Sequence, residues 1–98
     1  MRYDFDWDIK KARANVRKHK LSFERAATIF RDPNLLSIPD PEHSPLEERG
    51  ITMGLDEAGI LVVISHTFLK IRRNKSTIRI ISARKATKRE TKQYEKGI

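Results

Sequence analysis

Four cations, Arg84, Lys85, Lys88 and Arg89, crowd the junction between an apolar run and a helix start near the C-terminus. The run contains Thr77, Ile78, Ile80 and Ile81 and reads as a strand buried on both faces. Thr87 and Glu90 then form the Thr-x-x-Glu pattern of a capping box. Cations in the first turn of a helix oppose its macrodipole, which favours anions. Positive side chains gathered around backbone N–H groups without helical partners make a setting for a phosphate. Arg79, inside the run, falls on the face opposite Ile78 and Ile80, whereas strict alternation puts Arg84 on the same face as those isoleucines. Arg79 reads either as a phosphate contact or as a strand-surface cation paired with Glu47 or Glu48.

Chemistry at a phosphate also needs proton transfer. His19 is the first candidate, an imidazole between Lys18 and Lys20 at the end of a cationic helix; the alternative is a helix-terminal residue facing solvent. His66 alternates off an apolar strand and reads as a satisfied edge histidine and not a catalytic one, and His43 lies in a proline-rich loop with only Glu42 beside it. Arg49 opens a strand after Glu47 and Glu48, which either leave it to join the basic surface or neutralise it. The cations from Lys10 to Arg13, from Arg17 to Lys20, and at Lys70, Arg72, Arg73 and Lys75 read as a phosphate-binding footprint. Tyr94 is the aromatic open to stacking on a base, while Tyr3 and Trp7 suit the core better.

Composition agrees with an anionic partner. Against 13 Asp and Glu stand 21 Lys and Arg, a formal charge of +8 and a pI near 10.1, which points to a polyanion or an acidic protein. The 98 residues suffice for one domain, 1–98, with a single modest core. Cysteine is absent and the three histidines lack ligand spacing, so neither a metal nor another cofactor is expected. The longest apolar run, Gly59 to Ser65, falls far short of the ~20 residues of a membrane helix, and the N-terminus lacks a signal-peptide core, so a cytoplasmic protein is expected.

The elements that would position these groups follow from periodicity. Tyr3, Phe5 and Trp7 alternate with Arg2, Asp4 and Asp6, a short strand with its aromatics inward. A first helix capped by Asp6 or Asp8 would turn Ile9, Ala12 and Val16 inward and end near His19 and Lys20. Ser22 caps a second helix with the stripe Phe23, Ala26, Ala27 and Phe30, stopped by Asp32-Pro33, and the pair makes a helical hairpin. Leu35 to Ile38 is a short strand, followed by a proline-rich loop from Pro39 to Pro45. Arg49 to Leu55 and Ile60 to His66 form a β-hairpin around Asp56-Glu57-Ala58-Gly59, and Thr77 to Arg84 continues it as a meander. The last helix, from about Lys88 to Lys96, ends at Gly97 and has only Tyr94 as a large apolar side chain, so weak docking or dependence on a partner is expected.

Trp7-Asp8, Lys11, Asn15, Lys18-His19, Ser22-Phe23-Glu24, Ala26, Asp32-Pro33, Glu48-Arg49 and the block from Arg79 to Lys85 with Thr87, Glu90 and Tyr94 together resemble the BrnT family of toxins, from about Phe5 to Glu95. The Arg79-Ile80-Ile81-Ser82-Ala83-Arg84 block is the specific part. The resemblance implies an α+β, RelE-like fold: a short N-terminal strand, a helical hairpin, an antiparallel meander sheet of three to four strands, and a C-terminal helix. It implies a metal-independent endoribonuclease that inhibits translation. Its partner would be a BrnA-like ribbon-helix-helix antitoxin, in a heterotetramer of two toxins and two antitoxins that reaches operator DNA through the antitoxin. On this resemblance the catalytic set is His19, Arg49, Arg79 and Arg84, and the RNA-binding set is Lys18, Lys70, Arg72, Arg73, Lys75, Lys85, Lys88, Arg89 and Tyr94. The loop from Phe68 to Ser76 departs from the family's short turn in being longer and more basic. The competing class is a non-catalytic, basic nucleic-acid-binding module or inactive homologue, which needs the cations but not His19.

Overall fold

The computed structural model describes residues 2–39, 48–69 and 75–97. Lys70, Arg72 and Arg73, expected to bind RNA, lie outside the described residues, as do Glu47 and the loop position of His43. In chain order the elements are β1 (Arg2–Asp6), α1 (Ile9–His19), α2 (Phe23–Ala27) with a 3-10 turn (Thr28–Arg31), β2 (Leu36–Pro39), β3 (Glu48–Leu55), β4 (Leu61–Leu69), β5 (Lys75–Lys85) and α3 (Lys88–Lys96). The fold is α+β, but the sheet is not the expected meander of three to four strands. It has five strands in the order β1-β5-β4-β3-β2, and β1 runs parallel to β5. A parallel partner must come from a distant part of the chain, and local hairpin signals do not reveal it.

One face of the sheet carries the core. Leu21, Phe23, Ala26 and Ile29 from the helical layer pack on Val62, Ile64, Ile78, Ile80 and Ala83. The second helix differs from its expected stripe because it tightens into the 3-10 turn at Thr28. At three residues per turn, Phe23, Ala26 and Ile29 fall in line, leaving Ala27 and Phe30 partly buried. Phe5 of β1 and Trp7 just beyond it enter the core as expected, with ring centroids 5.4 Å from Phe30 and 5.9 Å from Phe23 respectively. His66 is fully buried among these groups. Its Nε2 lies 2.7 Å from the Thr52 hydroxyl, its ring meets Phe30 edge-on, and burial pushes its pKa down to about 4, a structural histidine.

The first helix turns a different face inward from the one expected. Ile9 and Val16 are 64% and 44% exposed, whereas Asn15 is buried and Ala12 and His19 are half-buried on its side of the helix. The reason is a polar tie. Pairing of β1 with β5 stops at Asp6 opposite Arg79, which leaves the backbone of Ala83 facing α1. The Asn15 amide takes the place of a strand there: Oδ1 accepts the Ala83 N–H at 3.1 Å, and Nδ2 donates to the carbonyls of Ala83 at 2.9 Å and Leu21 at 3.0 Å. Buried backbone groups need such partners, and this requirement outweighs burying two aliphatic side chains.

The β3–β4 turn is tied down as well. Asp56 Oδ1 accepts the N–H groups of Ala58 and Ile60, and Oδ2 accepts Arg25 Nε at 2.7 Å, fastening the hairpin to α2. Replacing Asn15 by Ala strands three buried backbone groups and is expected to cost about 2–3 kcal/mol. Urea unfolding would show this as a lower midpoint, and heating as a melting temperature reduced on the order of 10 °C.

Candidate nucleic-acid interface

The other face of the sheet is where the arginines gather. Residues directly opposite in neighbouring strands share a face, and Arg49 pairs with Thr67, which pairs with Arg79, which pairs with Asp6. These four form one row across β3, β4, β5 and β1. Thr67, in the middle, is buried, and the two arginines stand two strand spacings apart, about 10 Å between backbones. That separation is short enough for two arginine side chains to meet on one phosphate.

Arg84 joins this face, contrary to strict alternation. Ser65 faces Ser82 while His66 faces Ile80, so Ile81 is an extra residue in β5, a β-bulge. The parity of the strand reverses there: Ile78, Ile80 and Ala83 point to the core, and Arg79 and Arg84 point the other way. The same pairing puts Lys85 on the core side of the strand, though exposed at its end. The strand expected to be buried on both faces is therefore half open, with Arg79 exposed.

Arg79 and Arg84 are held by carboxylates. Arg79 is paired with Asp6 rather than with an acid of β3. The Arg84 guanidinium grips Glu90 with two bonds, Nη1 to Oε1 at 2.7 Å and Nη2 to Oε2 at 2.9 Å. Glu90 also completes the capping box, accepting the Thr87 N–H while its own N–H reaches the Thr87 hydroxyl. The Arg84 bond and the cap, opposed by burial, bring the Glu90 carboxyl down to about 2, and the Glu90 carboxylate raises Arg84. The start of α3, expected as a phosphate cradle, is thus satisfied by its own chain, and its cations Lys88 and Arg89 are exposed outside that cap.

The last helix is not loosely docked. Besides Glu90, its Tyr94 hydroxyl donates to Asp32 Oδ2, which also accepts the Leu55 N–H at 2.8 Å, while Oδ1 accepts the Asn34 N–H. Burial works against the Asp32 charge, but these hydrogen bonds outweigh it and lower its pKa; burial and the same carboxylate push Tyr94 up to about 12. Tyr94 is therefore an anchor for α3, held through its hydroxyl. Between α3 and the sheet a hollow of about 140 Å³ remains, lined by Leu36, Ile38, Ile51, Met53, Val63, Glu90 and Gln93.

The structure thus brings Arg49, Arg79 and Arg84 to one face and leaves His19 elsewhere. His19 sits one turn beyond Asn15 in the helical layer, and no hydrogen bond joins it to the arginine row among the described residues. Lys18 is exposed on the same helix, and Lys75 opens β5. From the sequence, Asp6 and Asp32 read only as a helix cap and a helix stop, and Gln93 was not singled out. The outward alternation of Asp4 and Asp6 was a usable signal for the first, but its partner depends on the parallel pairing. No His, Cys, Asp or Glu cluster suited to a metal occurs among the described residues, and no described helix is long and apolar enough to cross a membrane.

Comparison with known proteins gives one family. The family model described as ribonuclease toxin, BrnT, of type II toxin–antitoxin system matches residues 7–90. No curated protein matches. Among solved structures, the Brucella abortus ribonuclease toxin BrnT superposes with a TM-score of 0.61 at 19% identity, over 90% of this chain and 100% of that one, which shows a shared fold.

The Glu90 pair has a pH signature. Its folded carboxyl lies below the ordinary 4.5, so its contribution to stability is complete above that value and is lost as pH falls toward about 2. Unfolding free energy should decline over that window, with the lowered Asp32 and Asp56 carboxyls adding to the slope, and Glu90→Gln should make the decline shallower in denaturant titrations at stepped pH.

Proposed function

Since the chain belongs to the BrnT family of ribonuclease toxins of type II toxin–antitoxin systems, we propose that it cuts RNA on the open sheet face, without a metal, and thereby inhibits translation. The observation that carries this reading is the row Asp6, Arg79, Thr67, Arg49, which sets two guanidinium groups either side of a buried hydroxyl-bearing residue. In such cleavage the ribose 2′-oxygen gives up its proton and bonds to the adjacent phosphorus, the P–O5′ bond breaks and the departing 5′-oxygen takes up a proton, and negative charge builds on the phosphoryl oxygens along the way. Guanidinium groups supply flat, paired donors that suit those oxygens, and they cannot lose their charge at any working pH.

Within the row, Arg49 and Arg79 hold the phosphate and Asp6 orients Arg79 from its other side. Arg84, clamped by Glu90, adds positive potential at the end of the face and keeps α3 in place. The exposed cations Lys88 and Arg89 extend the phosphate-binding surface beside α3, with Lys85 at the exposed end of β5, while Lys18, on α1 with His19, stands apart from it. An antitoxin partner follows from the type of system. We take it to be BrnA-like and acidic enough to cover this face, and the toxin–antitoxin assembly to be the form that reaches operator DNA.

Arg49→Ala and Arg79→Ala should each lower the cleavage rate of a short RNA by on the order of 10²–10³, the usual loss for one preorganised donor, while folding is retained. His19→Ala, remote from the row by any hydrogen bond, should cost far less; a loss as large as that of Arg79→Ala would move proton transfer to α1. RNA that is retarded on a gel but left intact by the wild-type protein overturns the enzyme reading.

Binding itself should be salt-sensitive. If about six phosphates are contacted, raising salt from 50 to 200 mM should weaken RNA binding by roughly 10³, measured by fluorescence anisotropy with 2′-O-methyl RNA to prevent cutting.

A further inference from the structure

We infer that the hollow under α3 is a nucleobase site, and that Gln93 reads an adenine there, next to the phosphate held by the arginine row; the inference rests on the proposed action on RNA. The hollow opens on the same sheet face as that row. Its floor is Ile51, Met53 and Val63, with Leu36 and Ile38 along one side and α3 as its other wall. Ile51 and Met53 occupy the next two positions on Arg49's face of β3, so the hollow begins about 7 Å along the strand from the Arg49 row. A nucleotide with its phosphate on Arg49 and Arg79 would need its base displaced sideways by about such a step.

Size and chemistry narrow the occupant. The volume of about 140 Å³ is well below the roughly 300 Å³ at which drug-sized pockets begin, and suits one flat base and nothing larger. The walls are aliphatic and thioether side chains, suited to the faces of a flat ring, and Ile38 is 59% exposed despite its apolar character. Two polar side chains line the hollow. Glu90 is committed to Arg84 and to the cap of α3. The Gln93 amide is engaged in no hydrogen bond among the described residues, and it presents a donor and an acceptor side by side. That pair matches adenine on either exposed edge, its 6-amino group donating while N7 or N1 accepts, whereas the N7 edge of guanine offers two acceptors and the pyrimidines have no N7 edge.

The test uses short 2′-O-methyl homo-oligonucleotides of each base, which cannot be cut by 2′-hydroxyl attack, with affinities read by fluorescence anisotropy. The adenine oligonucleotide should bind about tenfold more tightly than the others, within the range for one bidentate contact. Gln93→Ala, an exposed helix position, should bring its affinity down to theirs without changing the affinity for the others or the melting temperature. Equal affinities in the wild type, no binding of any oligonucleotide, or an adenine preference that survives Gln93→Ala overturns the base site. If unmodified RNA is still cut in such a case, the ribonuclease reading stands alone. Conversely, an adenine preference abolished by Gln93→Ala in a protein that cuts no RNA supports the base site and overturns the ribonuclease reading.

Discussion

The extra residue at Ile81 decides what the rest of the sheet can be. Side chains on a strand alternate, so an insertion of one residue turns everything beyond it over. Before the bulge, Ile78 and Ile80 fill the core; after it, Ala83 does, and Arg84 is released to the open face. Without it, a regular alternation would push Arg84 toward Phe23 and Ile64, where a guanidinium without a partner is too costly to bury. The bulge also leaves Ala83 as the small residue against which α1 can approach, and Asn15 completes that approach by bonding both backbone groups of Ala83.

Polar ties do much of the positioning in this small domain. The two layers above and below the sheet are joined to it differently: α2 chiefly through a buried apolar stripe, α3 chiefly through Arg84–Glu90 and Tyr94–Asp32. A helix with little apolar surface gains little from docking by burial, so its hold depends on charge-assisted hydrogen bonds whose partners lie on distant elements. These ties also serve the open face. They keep α3 raised on one side of the sheet, leave a hollow beneath it, and leave the Arg49–Arg79 row beyond it uncovered by helix among the described elements. The carboxylates that hold Arg79 and Arg84 limit the self-repulsion of a basic surface while leaving each guanidinium with further N–H groups to offer.

Much of the element order was legible along the chain. Ser22 and Thr87 cap their helices as their types and spacing require, Asp8 and not Asp6 caps α1, and the Asp56 to Gly59 turn joins its two strands in the expected place. Errors arose where a polar interaction overrode a hydrophobic pattern. Ile9 and Val16 looked like the buried stripe of α1, but Asn15 faces inward because Ala83 needs its amide. The last helix, with only Tyr94 as a large apolar side chain, reads as weakly docked, but the Tyr94 hydroxyl ties it to Asp32. The arginines of the candidate site were legible as residues and not as a group, since Arg49, Arg79 and Arg84 are as much as 35 positions apart and meet only through strand pairing.

By itself, the sequence determined composition, charge, the caps and turns, the alternation within single strands, and the block of residues that marks the family. All of these are short-range properties, set by neighbours within about one helical turn or one hairpin. The tertiary structure alone decided that β1 joins β5 in parallel, that β5 carries a bulge, and that Asp6 and Glu90 become the partners of Arg79 and Arg84. Those choices depend on which distant backbone and charged groups must be satisfied once the core has closed, and a linear pattern holds no record of that requirement.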